Sequence, residues 1–228
     1  MRTLVAFDLD DTLVPEALFL LSGIEHIAHW LHLRVQGIDA NRVIGCMQTA
    51  VFTHRNHYSG LESLLSRPQL YNGISPDLAC DCRTMMADIV DEFRSHRPDP
   101  DIYHLSPSMH QILSNIRDRG IATALITDGR SRTQRNKIEA AGLYDFFDNK
   151  DIYISEETGH DKKEPDNFLN LMRNHPDIEK FVYVADNPAK DFIHPLRLGW
   201  ETHLVRRFPL MIHQPGLWYS KIPMCLQA

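Results

Sequence analysis

The sequence predicts an α/β fold, in which helices cover both faces of a parallel sheet and an all-helical segment follows the first strand. Over residues 106–205, short apolar runs rich in strand-forming residues alternate with helical periodicity, and this alternation is typical of a parallel sheet. Residues 15–105 instead show amphipathic helical patterns and no convincing strand. We therefore expect a sheet domain formed by residues 1–14 and 106–228, and a helical domain formed by residues 15–105.

Three predicted strands are continuous apolar runs, as expected for strands buried on both faces. They cover residues 3–7, 121–126 and 181–185. Each run stops at a polar residue, and these residues are Asp8, Thr127 and Asp186. Two weaker strands are predicted over residues 152–154 and 202–205. The sheet is therefore expected to gather acidic and hydroxyl groups at its strand ends.

Helical periodicity fills the intervals between the strands. Ser106 is the predicted N-cap of a helix that ends near Gly120. The other helices of the sheet domain are predicted over residues 134–141, 166–173 and 189–198. Those of the inserted segment are predicted over residues 16–33, 42–52, 61–65 and 78–93. The proline-rich stretch 97–107 is the predicted return linker.

The composition argues against several classes of protein. The chain has 24 basic and 30 acidic residues, a net charge of −6, whereas non-specific nucleic-acid binding needs an excess of lysine and arginine. No apolar run approaches the roughly 20 residues that span a bilayer. The four cysteines lack the spacing of the usual structural zinc site. We expect a cytoplasmic protein with reduced thiols and no leader segment, which binds neither nucleic acid nor membrane.

The sharpest chemical signal is the D-x-D-x-T pattern formed by Asp8, Asp10 and Thr12, directly after the first strand. Carboxylates gathered at strand ends repel one another unless a cation lies among them, and Mg²⁺ prefers oxygen ligands and accepts a phosphate oxygen. One carboxylate here can attack phosphorus, and a second, two residues on and on the same side of an extended segment, can protonate the leaving oxygen. The alternative is an exposed acidic turn in which Thr12 caps a helix.

Three further elements come later in the chain. The Thr127 hydroxyl and the backbone N–H groups of its glycine-containing turn can hold phosphate oxygens. One ammonium of Lys162 and Lys163 can lie between nucleophile and phosphate and reduce their repulsion. Asp186 can complete a Mg²⁺ shell, and Asp191 can hold a water on the metal. Taken singly, these elements also fit a simple turn, a solvated loop and a helix cap, but together with the acidic pattern they favour a site.

The four elements resemble the motifs of the haloacid dehalogenase-like hydrolase superfamily. They are F-D-L-D-D-T-L at residues 7–13, I-T-D-G at 126–129, the lysine of a K-x-x-P-x-x-F element, and A-D-N-P-A-K-D at 185–191. Lys162 is preferred over Lys163 as the motif lysine because it keeps the spacing to Pro165. The resemblance implies a Rossmann-like core, a helical cap of the subgroup with an insertion after the first motif, and a Mg²⁺-dependent phosphatase.

The resemblance also implies roles for individual residues. The residues expected to act in catalysis are Asp8 as nucleophile, Asp10 as general acid and base, Thr127 and Lys162. The residues expected to contact the phosphate group are Asp8, Leu9, Thr127, Asp128 and Lys162. The metal is expected to bind Asp8, the backbone carbonyl of Asp10 and the side chain of Asp186. Asp191 is expected in the layer around these ligands.

The leading hypothesis is a phosphatase that acts on a small phosphomonoester, such as a sugar phosphate or a nucleoside monophosphate, as a monomer or homodimer. Residues 133–143 are similar to family members that act on nucleotides or acylneuraminate phosphates. Asp10 favours this hypothesis over a 2-haloacid dehalogenase, since that branch lacks the acid. A phosphomutase is a second enzymatic alternative. A non-catalytic phosphate-binding module is a third alternative, which the intact set of motif residues argues against.

Overall fold

This computed structural model describes residues 2–54 and 84–205 of the chain. The strands are β1 (Thr3–Phe7), β2 (Ala122–Thr127), β3 (Ile152–Ile154), β4 (Lys180–Ala185) and β5 (Glu201–Leu204). They form one sheet in the order β3-β2-β1-β4-β5, and every neighbouring pair is parallel. The predicted α/β fold with a parallel sheet is therefore confirmed, and the first strand of the chain is the central strand of the sheet.

The described helices follow in chain order. They are α1 (Glu16–Arg34), α2 (Ala40–His54), α3 (Met86–Ser95), α4 (Pro107–Asp118), α5 (Ser131–Ala140), α6 (Ser155–Thr158), α7 (Asp166–Asn174), α8 (Pro188–Asp191) and α9 (Ile193–Arg197). Single 3₁₀ turns lie at Leu143–Asp145 and Asn149–Asp151. None of the described helices combines the length and the apolar character that a membrane crossing requires.

The sheet is held by an apolar core to which β1, β2, β4 and α7 all contribute. Leu4 and Tyr183, on the neighbouring strands β1 and β4, are fully buried in it. Phe168 on α7 packs edge-on against the ring of Tyr183, with 5.3 Å between the ring centroids, and against Trp200 at 5.6 Å. Because aromatic rings bury large apolar areas, this packing fixes α7 against β4.

Two helices of the sheet unit differ most from their predicted limits. The segment predicted as one helix over residues 189–198 forms α8 and α9 instead, with a break at Phe192. Pro195 lacks an amide hydrogen and cannot donate to the carbonyl of Asp191, so a continuous helix would lose that bond. Helix α5 begins at Ser131, three residues before its predicted start. The N-cap prediction at Ser106 is confirmed, because its Oγ accepts the Met109 N–H at 3.2 Å.

The chain divides into two compact units, residues 1–16 with 100–228, and residues 17–99. The first unit contains the whole described sheet together with the buried Tyr103, whereas the predicted boundary after residue 105 would assign Tyr103 to the helical domain. The second unit contains α2, α3 and all of α1 except its first residue. The predicted helix at 61–65, the first residues of the one predicted at 78–93, and three of the four cysteines lie outside the described residues.

A close approach between α1 and α3 explains one glycine of the second unit. A Cβ added at Gly23 on α1 would lie 2.5 Å from the ring of Phe93 on α3 and 2.9 Å from the ring of His96. The Phe19 ring also packs on α3, with its centroid 6.0 Å from that of Phe93. The small residue therefore lets two helices meet where larger side chains would separate them.

Candidate active site

Parallel pairing brings the ends of β1, β2 and β4 to one edge of the sheet. Phe7, the last residue of β1, lies opposite Leu125 on β2 and Val184 on β4. Asp8 follows at once, and its backbone N–H donates to the Val184 carbonyl at 2.9 Å. Asp186 follows the end of β4 in the same way. The acidic residues after β1 and β4 therefore lie side by side, as the pattern of strand ends predicted.

Three carboxylates form a cluster at this edge. One oxygen from each of Asp8, Asp186 and Asp191 lies within 4.8 Å of the others, and none of the three residues is more than 9% exposed. Burial raises the pKa of Asp8 to about 6, although Lys162 lowers it, and the charge of Asp191 raises it further. Burial, followed by the charges of Asp8 and Asp191, raises the pKa of Asp186 to about 8. The negative charges of this cluster are therefore unfavourable as they stand.

Lys162 is the cation of the cluster. Its Nζ contacts the Asp8 carboxylate and lies 3.1 Å from Oδ1 of Asp191, and the residue is 2% exposed. Burial alone would lower the pKa of Lys162, but the carboxylates of Asp191 and Asp8 outweigh it and raise this pKa well above its ordinary value. Lys163, the other lysine of the pair, is exposed. The geometry therefore brings the ammonium of Lys162, and not that of its neighbour, to Asp8, the residue expected to be the nucleophile.

The donor set fits a hard divalent cation such as Mg²⁺. Three carboxylates face a single lysine ammonium in the cluster, and hard cations take carboxylate oxygens as ligands. Asp186, the expected side-chain ligand, lies in the cluster, and Asp191, expected to hold a water on the metal, places a carboxylate oxygen there as well. The carboxylate of Asp10 is engaged elsewhere, so a contribution from Asp10 would come from its backbone carbonyl.

The turn after β1 is buried, unlike the exposed acidic turn that was the alternative interpretation. Asp11 is 1% exposed, and Thr12 is fully buried. Asp11 has a φ of 55°, a left-handed conformation that is uncommon outside glycine but tolerated by aspartate. Its Oδ1 accepts the backbone N–H of Glu16 at 3.0 Å. The side chain of Asp11, and not that of Thr12, therefore accepts the backbone N–H of the first residue of α1.

The turn after β2 is connected through Asp128 to the loop before α7 and to α8. Its Oδ1 accepts the backbone N–H of Lys162 at 3.1 Å, and its Oδ2 pairs with the Lys190 ammonium at 2.7 Å. The N–H of Gly129 donates to Oγ of Ser155 at 2.9 Å. The Asp128 side chain therefore holds these elements together, and a phosphate contact from this residue would come from its backbone N–H. Because the Leu9 side chain is apolar and fully buried, a phosphate contact from Leu9 would also come from its backbone N–H.

Two residues that the sequence reasoning did not single out lie beside Asp10. The Lys137 ammonium is 2.7 Å from Oδ1 of Asp10, and the Gln134 amide donates to Oδ2 of Asp10 at 3.1 Å and to Oγ1 of Thr127 at 2.8 Å. Both residues are buried on α5. The only sequence signal for them is their spacing of three residues, which places them on one face of a helix.

The sequence matches a known family over most of its length. The family model described as haloacid dehalogenase-like hydrolase matches residues 5–205. Its match includes all four motif regions, from Asp8 to Asp191.

Individual relatives agree with this match. The chain is 27% identical over 207 residues to a glyceraldehyde 3-phosphate phosphatase of Methanopyrus kandleri, which covers 89% of this chain and 83% of the relative. It is 38% identical over 90 residues to a phosphoserine phosphatase of Thermus thermophilus, where the match covers 39% of this chain and 35% of the relative. The fold is similar to that of a Bacillus subtilis protein, YfnB, solved bound to magnesium, with a TM-score of 0.59 and 20% identity over 91% of this chain and 90% of that one.

Proposed function

The chain belongs to the haloacid dehalogenase-like hydrolase family, and we propose that it is a Mg²⁺-dependent phosphatase that hydrolyses a small phosphomonoester through an aspartyl-phosphate. One observation carries the proposal: the buried Asp8 carboxylate lies beside a lysine ammonium and two further carboxylates at the strand ends. The carboxylate of Asp10, in contrast, lies outside this cluster, and its side chain is 20% exposed. The two aspartates thus have different environments, as a nucleophile and a proton carrier require.

In the first half of the reaction, Asp8 attacks phosphorus. A bond forms between a carboxylate oxygen of Asp8 and phosphorus, and the bond from phosphorus to the ester oxygen breaks. Asp10 gives a proton to that ester oxygen as it leaves, so the alcohol departs neutral. The Lys162 ammonium contacts Asp8 and reduces the repulsion between the carboxylate and the incoming phosphate.

In the second half, water hydrolyses the aspartyl-phosphate. Asp10, now a carboxylate, takes a proton from the water, whose oxygen attacks phosphorus. The bond between phosphorus and the Asp8 oxygen breaks, which releases inorganic phosphate and restores both aspartates. The Thr127 hydroxyl and the backbone N–H groups of Leu9 and Asp128 would hold phosphate oxygens through both halves.

Mg²⁺ would be held by the carboxylates of Asp8 and Asp186 and the backbone carbonyl of Asp10, with Asp191 beside them. When bound, it supplies positive charge that offsets the charge of the phosphate. The raised pKa values of Asp8 and Asp186 and the excess of carboxylates over ammonium groups support this assignment. Asp191 accepts the N–H of Asn187 at 3.3 Å and lies 3.1 Å from Lys162, so it also links the turn after β4 to the lysine.

The substrate is proposed as a small phosphorylated metabolite. The relatives named above are a phosphoserine phosphatase and a glyceraldehyde 3-phosphate phosphatase, and the sequence reasoning favours a sugar phosphate or nucleoside monophosphate. A cytoplasmic location and a monomeric or homodimeric state remain predictions.

The test is a phosphate-release screen with the full chain. The panel contains phosphoserine, glyceraldehyde 3-phosphate, sugar phosphates and nucleoside monophosphates, each assayed with Mg²⁺ and with EDTA. We expect release from at least one compound with Mg²⁺, loss of release in EDTA and its recovery when Mg²⁺ is restored.

Three outcomes would contradict the proposal. Dehalogenation of a 2-haloacid at full rate in EDTA would point to the dehalogenase branch. Transfer of phosphate within a sugar phosphate without release would point to a mutase. Binding of these compounds without turnover would point to a phosphate-binding module.

A further inference from the structure

A second polar group lies at the same edge of the sheet, and it is centred on Asp10. Gln134 and Lys137 are three residues apart on α5 and therefore share a helix face. The Lys137 Nζ lies 2.7 Å from Oδ1 of Asp10, and the Gln134 Nε2 lies 3.1 Å from Oδ2. Each oxygen of the Asp10 carboxylate thus has a donor group beside it. The Lys137 ammonium makes the shorter contact, while the two hydrogens of the Gln134 amide are shared among three acceptors.

The burial of the two donors shows that this arrangement is costly. The Lys137 side chain is 4% exposed, and that of Asp10 is 20% exposed, while Gln134 is 2% exposed. Lysine is almost never buried without a partner, because its ammonium loses hydration. An apolar residue on the same helix face would avoid that cost. Lys137 therefore does more than fill space, and its ammonium is directed at Asp10.

Gln134 also connects Asp10 to the turn after β2. Besides Asp10, its Nε2 lies 2.8 Å from Oγ1 of Thr127 and 2.8 Å from the carbonyl oxygen of Asp128. In the proposed function, Thr127 and Asp128 hold the phosphate group. The same amide therefore sets the position of the proton carrier relative to the phosphate.

We propose that Lys137 and Gln134 are positioning residues that hold Asp10 for proton transfer to the leaving oxygen. The inference rests on the proposed function, because Asp10 transfers a proton only if an ester bond is broken. Neither residue is assigned a contact with substrate. Both act on the step in which the proton moves from Asp10 to the ester oxygen while the Asp8–phosphorus bond forms and the phosphorus–oxygen bond breaks. That step depends on Asp10 most when the leaving oxygen is strongly basic.

Two substrates separate positioning from a purely structural role. An alkyl phosphate that the wild type hydrolyses has a basic leaving oxygen, whereas p-nitrophenyl phosphate releases a stable anion that needs little protonation. Lys137→Met removes the ammonium and keeps the side-chain length, and Gln134→Met removes the amide donor at similar volume. The quantity to measure is kcat/KM, since it reports the first phosphoryl transfer.

We expect each variant to lose roughly 100-fold in kcat/KM with the alkyl phosphate, and less than about tenfold with p-nitrophenyl phosphate. In an Asp10→Asn background, Lys137→Met should cause no further loss, since the group that it positions is gone. The matched control is Lys150→Met, because the Lys150 side chain is 73% exposed and 4.0 Å from Asp148. That variant should keep wild-type values with both substrates.

Equal losses with both substrates, or a full further loss in the Asp10→Asn background, would overturn the inference and leave the proposed function intact. Thermal unfolding checks that each variant folds. Should Lys137→Met fail to fold, Lys137→Gln, which removes the charge and keeps a polar side chain, provides the same test. Failure of the wild type to release phosphate from any compound of the panel above would overturn the proposed function, and this inference with it.

Discussion

Two groups of charged residues in the sheet unit differ in how their charges are matched. In the acidic cluster, Asp8 and Asp191 share the ammonium of Lys162, Asp186 lies beside them, and all four residues are buried. Between α5 and α6, the partly exposed Glu156 and Glu157 each have a guanidinium of their own, from Arg130 and Arg135, both at 2.6 Å.

The two groups have opposite effects on carboxylate pKa values. A hydrogen bond from Arg135 lowers the pKa of Glu157, whereas burial raises the pKa of Asp8 and of Asp186. A cation beside a partly exposed carboxylate stabilises its ionised form and lowers its pKa. Burial and neighbouring carboxylates destabilise the ionised form and raise its pKa. The acidic cluster therefore lowers the stability of the folded protein, whereas the pairs between α5 and α6 do not. A site that binds a cation and a phosphate group would require such a cluster.

The largest expected effect is the loss of turnover in Asp8→Asn. The amide cannot serve as the nucleophile, so phosphate release should fall by about 10⁴-fold or more. The free energy of unfolding without Mg²⁺ should stay unchanged or rise by about 1 kcal/mol, because one of three crowded carboxylates is removed. Phosphate-release assays and urea unfolding measure the two quantities. Asp148→Asn, at a 78% exposed side chain, is the control. Turnover retained in Asp8→Asn would remove Asp8 from its proposed role.

The second-largest expected effect concerns Lys162, whose ammonium is the only one that contacts Asp8 among the described residues. Lys162→Met leaves the carboxylates of the cluster without compensation and should lower the free energy of unfolding by about 3–5 kcal/mol. Lys180→Met is the control, since Lys180 pairs with Glu201 while both side chains are at least 35% exposed, and it should cost less than about 1 kcal/mol. Chemical unfolding measures both changes. Similar losses in the two variants would mean that the buried cluster behaves like a surface pair.

A smaller effect should appear in the dependence of stability on pH. The pKa values of Asp8 and Asp186, about 6 and about 8, lie above the ordinary value of 3.8. Between about pH 4 and 8 the folded state therefore binds more protons than the unfolded state at these groups. Their contribution to the free energy of unfolding should fall as pH rises through this range.

Magnesium should oppose this trend, because it competes with protons for the same oxygens. At about thirty times its Kd, Mg²⁺ should add roughly 2 kcal/mol, and a given concentration should raise Tm more at pH 8 than at pH 6. Thermal unfolding in Mg²⁺ and in EDTA at both values tests this. A larger Mg²⁺ response at pH 6 would contradict the proposed ligands.

The smallest effect belongs to the pairs between α5 and α6. A double-mutant cycle with Arg130→Met and Glu156→Gln should give a coupling of about 0.5 kcal/mol, because these side chains are 61% and 40% exposed. Added salt should reduce the coupling, and phosphate release should not change. Urea unfolding at two ionic strengths measures it. A coupling above about 2 kcal/mol would erase the distinction between the two groups of charges.

The sheet and its polar edge could be predicted because both depend on local pattern. Apolar runs that stop at Asp8, Thr127 and Asp186 fix where the strands end, and parallel pairing then brings the first and third of these together. The sequence pattern does not predict the break at Phe192, because the apolar periodicity continues across Pro195.

The surroundings of Asp10 could not be predicted in the same way. Gln134 and Lys137 lie 124 and 127 residues from it in the chain, and a polar helix face is usually solvated. Their burial results from the docking of α5 beside the turn after β1, which no pattern within α5 specifies. Similarly, the spacing of Asp191 indicated the region of the cluster but not that its carboxylate would lie within 4.8 Å of Asp8 and Asp186. The catalytic roles of these residues remain predictions.

The central place of β1 affects the order in which the protein can be assembled during synthesis. Leu4 pairs with Ala122 on one side and with Phe181 on the other, so β1 is synthesised before both of its partner strands and is fully paired only after β4 has been made. A nascent chain that stops before β4 leaves one edge of β1 without its native partner, and such edges promote aggregation. We expect nascent chains to depend on chaperones until residue 185 has emerged, and the acidic residue that follows β1 to become part of a site only then.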